Sequence, residues 1–145
     1  MSDRFWDPEG KYQDGFLKEY PHWILEVSFR QHTLGCYIIF AKERVEKISD
    51  LRPEALIDLK TVLLEIQATL FDIPEFRPDR FNYLQLGNGL HNLHFHGIPR
   101  YASARTFAGS TWVDTTWGHP PVWSHTETER EIVMEVKKKI QEQLH

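Results

Sequence analysis

A chain of 145 residues is long enough to bury one sizeable core, and its 41% hydrophobic and 26% charged residues exclude the disordered and collagen-like classes. Against 21 Asp and Glu there are 17 Lys and Arg, and the net charge of -4 disfavours a track for long nucleic acid. The one dense cationic run, Lys137 to Lys139, falls within a predicted terminal helix, so a single domain over 1–145 with no long nucleic-acid partner is expected.

In chain order, residues 1–20 form a polar lead-in segment punctuated by Pro8, Gly10 and Gly15, to which no firm structure is assigned. It opens Met1, Ser2, Asp3, Arg4, with neither an apolar signal core nor a run long enough to cross a membrane, so no membrane partner is expected. From His22 to Phe29 the β-formers Trp23, Ile24, Leu25, Val27 and Phe29 cluster, and Leu34 to Phe40 gives a second apolar run after the polar Arg30 to Thr33. The two runs predict an antiparallel hairpin, with His32 near its turn read more readily as a solvated residue than as one lining a ligand pocket. Cys36, the sole cysteine, forms no internal disulfide and reads as a small buried hydrophobe, which points to a reducing compartment and a cytoplasmic location.

A helix follows, because Leu56, Leu59, Leu63, Ile66 and Leu70 recur every three or four residues and Pro53 suits a first turn. Pro74 and Pro78 end it. Phe81 to Leu86 reads as a strand, Gly87-Asn88-Gly89 as a turn, and Leu90 to Ile98 as the next strand. The stretch 99–124, with Trp112, Trp117 and Trp123 among Gly109, Gly118, Pro120 and Pro121, reads as an ordered aromatic loop. The C-terminal helix over 125–144 is signalled by capping-box spacing at Thr126 and Glu129 and by a face of Val133, Val136 and Ile140.

Chemistry concentrates between Gly87 and Tyr101. On a strand, Asn92, His94 and His96 share one face while Leu93 and Phe95 take the other, so burying the apolar side presents two imidazoles and an amide at a surface or cleft. Taken alone, a His-x-His pair fits a solvated strand face or two ligands to one metal ion. For a metal the further ligands are missing from the strand itself, since His91 points to the other face and His119, His125 and Asp114 would have to return from a distant loop.

The run Leu86-Gly87-Asn88 followed by Asn92-Leu93-His94-Phe95-His96-Gly97-Ile98-Pro99-Arg100-Tyr101 resembles the signature of histidine triad proteins, especially the branch of diadenosine tetraphosphate hydrolase-like proteins. Thr33-Leu34-Gly35 through Lys42, the helix near Pro53, and Trp117-Gly118 before Pro120-Pro121 fall in the same order, so the resemblance covers most of residues 20–121. It implies an α+β domain with an antiparallel sheet of about five strands and two main helices, a homodimer, and no cofactor or metal. It also implies hydrolysis or nucleotidyl transfer on dinucleoside polyphosphates, nucleoside phosphoramidates or related adenylates. His94 takes the role of nucleophile and His96 that of a phosphate-contacting group. Asn92 stands where the first histidine of the triad belongs, keeping hydrogen bonding but no protonatable ring. Asn88 with Gly89 fits a phosphate contact and an ordinary turn equally. Asn82 and His119 are further substrate-contact candidates, Asn82 being read slightly more readily as a plain strand residue and Arg100 as half of a structural ion pair. The rival to turnover is a nucleotide-binding regulatory protein, which Asn92 motivates.

Overall fold

A computed structural model of the chain describes residues 4–144. Strands β1 (Phe16–Glu19), β2 (Trp23–Val27), β3 (Tyr37–Ala41), β4 (Arg80–Leu84) and β5 (His94–Arg100) form one antiparallel sheet in the order β1-β2-β3-β5-β4. Helix α1 (Pro53–Asp72) joins β3 to β4, and α2 (Arg130–Gln143) closes the described chain. The fold is therefore α+β with five sheet strands and two helices, as expected. Among the described residues no helix is long and apolar enough to cross a membrane.

Every residue of β2 and β3 is buried, because the sheet is covered on both faces. On one side Trp23, Leu25, Val27, Tyr37 and Ile39 meet Val62, Ile66 and Leu70 of α1 and Val133, Val136 and Ile140 of α2. The indole N–H of Trp23 donates to the Ala55 carbonyl at 2.8 Å, tying the first turn of α1 to the sheet. On the other side Ile24, Ile38 and Phe40 pack under Trp6, with Phe5, Tyr12 and Leu90 around them. Glu26, fully buried on this same face, forms an ion pair with Arg4. The lead-in segment is thus the cover of the second face, and it also supplies β1.

Four further boundaries differ from the sequence reading. Of the expected α1 face, Ile66 and Leu70 are buried and Leu59 and Leu63 pack against the core, joined there by Ala55, Val62 and Thr69, while Leu56 is 45% exposed; apolar residues on more than one side of the helix leave its spacing ambiguous. The stretch 99–124 contains a hairpin of β6 (Arg105–Phe107) and β7 (Ser110–Trp112) turned by Ala108-Gly109, both at positive φ. The predicted strand start at Leu90 moves to His94, because Leu93 instead exchanges backbone bonds with Val45 and Ala41. Helix α2 starts at Arg130 rather than near Thr126. Thr128 holds the preceding chain extended, its N–H on the Phe29 carbonyl and its hydroxyl accepting from the Gln31 N–H, so the Thr126 capping box does not form.

Candidate active site

Alternation along β5 sends Phe95 to the helix side, where it meets Trp23, and His94 and His96 to the other. Register fixes their neighbours: His94 lies opposite Phe40 and His96 opposite Ile38, so both imidazoles stand on an apolar floor. The His94 ring stacks on Phe40 at 5.6 Å and meets the His96 ring edge-on at 5.0 Å. Gly97 keeps β5 this close to β3. A Cβ there would sit 2.2 Å from the Tyr37 ring, well inside contact distance.

His94 is 7% exposed and lies at the bottom of a pocket of about 700 Å³. The cleft expected from strand alternation exists, yet it is recessed, because residues 6–12, 86–90 and 123–125 build walls above the sheet. Nδ1 of His94 lies 2.7 Å from the Asn92 carbonyl oxygen. A carbonyl only accepts, so Nδ1 carries the proton and the lone pair of the neutral ring is on Nε2. Burial holds the His94 pKa below the ordinary histidine value, partly opposed by that bond. His96 is pushed down to about 3, by burial first and then by the neighbouring His94, His32 and Arg30. Both rings are therefore neutral near pH 7. Among the described residues nothing hydrogen-bonds the His96 ring, so its N–H is available to a ligand.

The sequence-derived candidates divide into two groups. His94, His96, Asn88 and Gly89 line the one pocket. Asn92 is adjacent without lining it: its side-chain amide donates to the Ala41 carbonyl at 3.1 Å, and its contribution to the site is the backbone oxygen under His94. Asn82 and His119 lie elsewhere. Asn82 is level with Ile98 in the sheet, four residues along from His94 and so about 13 Å away at the usual strand rise. With His119 it lines a separate hollow around Arg100. There Arg100 is buried, forked onto Asp114 at 2.6 and 3.0 Å, and donates to Asn82, Thr116 and the His119 carbonyl. That arrangement accounts for Arg100 as a structural ion pair and removes Asn82 and His119 from the His94 pocket.

Sequence reasoning missed several walls of the site. Trp123 stands between His32 and His96, 4.7 Å from each ring. Trp6, Tyr12, Arg30 and His125 also line the pocket, brought in by loops whose residues show no periodicity. His32 is half-buried against Trp123 rather than solvated, and burial lowers its pKa. Cys36 is buried, as read. Among the described residues no three His, Cys, Asp or Glu side chains converge as metal ligands.

No family model matches the sequence, and no curated protein does. Solved structures do. A histidine triad protein from Sinorhizobium meliloti 1021 superposes with a TM-score of 0.67 at 18% identity, over 89% of this chain and 88% of that one. A HIT family protein from Bacillus anthracis str. 'Ames Ancestor' gives 0.58 at 24% identity, over 98% and 95%. A hypothetical histidine triad nucleotide-binding protein from Sulfolobus tokodaii strain7 gives 0.62 at 19% identity, over 89% and 82%. At these identities the likeness establishes the fold, which is that of histidine triad proteins.

Proposed function

We propose that this chain is a nucleotide hydrolase or nucleotidyl transferase of the diadenosine tetraphosphate hydrolase-like branch. In this reading it acts as a cytoplasmic homodimer on dinucleoside polyphosphates, nucleoside phosphoramidates or related adenylates. The observation that carries the proposal is the oriented, neutral His94 lining a nucleotide-sized pocket, with Nδ1 held by the Asn92 carbonyl and Nε2 without a partner among the described residues. Supporting it are the motif around that residue, the shared fold, and the nucleotide binding named for the Sulfolobus tokodaii protein.

In the first step the Nε2 lone pair attacks the α-phosphorus in line, forming an N–P bond as the P–O bond to an anionic phosphate, or the P–N bond to an amine protonated from solvent, breaks and its electron pair departs with that group. Water then attacks the same phosphorus and gives up a proton to solvent, the N–P bond breaks and its electrons return to Nε2, releasing the nucleoside monophosphate. Charge building on the non-bridging oxygens meets the His96 N–H, the Asn88 amide and backbone N–H groups of the 87–90 turn. His96 enters as a neutral donor. Tyr12 and Trp123 offer aromatic faces to a base, a kind of contact typically worth about 1–3 kcal/mol. The chemistry needs no metal.

A His94→Ala variant tests this directly. Release of nucleoside monophosphate from several adenylate classes should fall at least about a hundredfold, and a chelator should leave the parent rate unchanged. Asn92 favours a second reading, nucleotide binding with little turnover; there His94→Ala would leave the already small release rate unaltered.

A further inference from the structure

We infer that Arg30 binds the phosphate chain beyond the α-phosphate, making an anionic leaving group the preferred one. The inference rests on nucleotide phosphates entering the His94 pocket and adds the substrate class that fits it. Arg30 lies in the turn between β2 and β3 and lines the same pocket as His94 and His96.

The turn is rigid. Ser28 Oγ accepts from the Arg30 N–H at 3.1 Å and donates to the Arg30 carbonyl at 3.2 Å. Next to it, the buried Gln31 side chain donates to the Ser28 and Cys36 carbonyls and accepts from the Gly35 N–H. Its own N–H is held by Thr128. The backbone is therefore fixed on both sides of a guanidinium that has no carboxylate partner among the described residues. Its Nε is buried without an acceptor, a donor that a ligand oxygen would satisfy.

Charge accounting around the pocket singles out the same residue. His94 and His96 are neutral, and Asn92 removes a third imidazole. Arg100 is consumed by Asp114 and its neighbours, outside this pocket. Lys11 lines the pocket as an exposed side chain with its ammonium 5.6 Å from the centre of the Tyr12 ring, and Asp7 is occupied by the N–H groups of Lys11 and Tyr12. Arg30 is left as the cation beside the reacting pair, close enough that its charge helps to hold His32 and His96 deprotonated. A guanidinium presents paired N–H donors to non-bridging phosphate oxygens, so its contribution grows with each phosphate after the first.

The test uses the full chain carrying His94→Asn, which cannot form the covalent intermediate, so ligands stay intact during calorimetry. With Arg30 present, ATP should bind at least about tenfold more tightly than AMP. Arg30→Gln should abolish most of that step while changing AMP affinity by less than about threefold, and Arg30→Lys should restore part of it. Equal weakening of AMP and ATP by Arg30→Gln, or unchanged ATP affinity, would overturn the assignment while leaving the nucleotide reading intact. If neither AMP nor ATP binds the Arg30-containing chain, the proposed function itself falls, and this inference with it.

Discussion

His94 takes its orientation from a backbone carbonyl, so the group that fixes its tautomer persists whatever side chain stands at position 92. This explains how a chain with Asn in the first position of the motif keeps the middle histidine poised. The His94 and His96 pair was legible in the sequence because two-residue alternation depends on neighbours alone. Arg30, His32 and Trp123 were not, since chain closure over 27 residues from His96 to Trp123 and over 66 and 64 from Arg30 and His32 brings them together, and no local pattern encodes it. The neutral rings have a measurable consequence. A histidine with a folded pKa below its unfolded value binds fewer protons when folded, so stability is complete above the unfolded pKa and is lost as pH falls toward the folded one. For His96 that window runs from roughly 6.5 down to about 3, and His94 contributes in the same direction. Urea midpoints measured from pH 7 to 4 should therefore decline, and His96→Gln should flatten the slope. An unchanged slope would mean that His96 is already charged in the folded protein.

The strands and helices are legible to different degrees for physical reasons. Strands β2 and β3 announce themselves as apolar runs, broken in β2 only by the ion-paired Glu26, because a sheet covered on both faces has no solvated side to alternate with. The inward face of α1 was legible through Leu59, Leu63, Ile66 and Leu70 but not at Leu56, since Ile57, Leu64 and Phe71 give that helix a second apolar stripe. The start of α2 depends on Thr128 being tied to the 29–31 turn, which capping-box spacing cannot reveal. Between β3 and β5, Gly97 packs tightly against the Tyr37 ring. Gly97→Ala should lower unfolding free energy by at least about 1–3 kcal/mol, the usual effect of overpacking, and should displace the strand bearing His96. Adding Tyr37→Ala makes room, so the double variant should lose less than the two single losses summed; strict additivity in denaturant titrations would contradict the contact.

Across the whole molecule, the helices cover one face of the sheet and the N-terminal segment roofs the other, which turns a strand face into a recessed pocket. The fold was legible through the motif and the order of the surrounding elements, even at identities of 18–24% to the solved structures described above. For the proposed homodimer, the supporting surface is α1 together with the free edge of β4. Ile57, Leu64 and Phe71, spaced seven apart, are 72%, 60% and 52% exposed. In the aromatic stretch 99–124, Trp112 is bonded to Gln31 and Trp123 walls the pocket. A Leu64→Glu variant should sediment as a monomer where the parent sediments as a dimer; equal sedimentation would rule out this face. The central claim, a covalent step at one imidazole, is tested most directly by rapid quenching with an adenylate labelled on its α-phosphate, followed by peptide mapping. The account predicts an acid-labile nucleotidyl group on His94 that disappears as product forms, whereas product release with label on no residue, or on another, would contradict it.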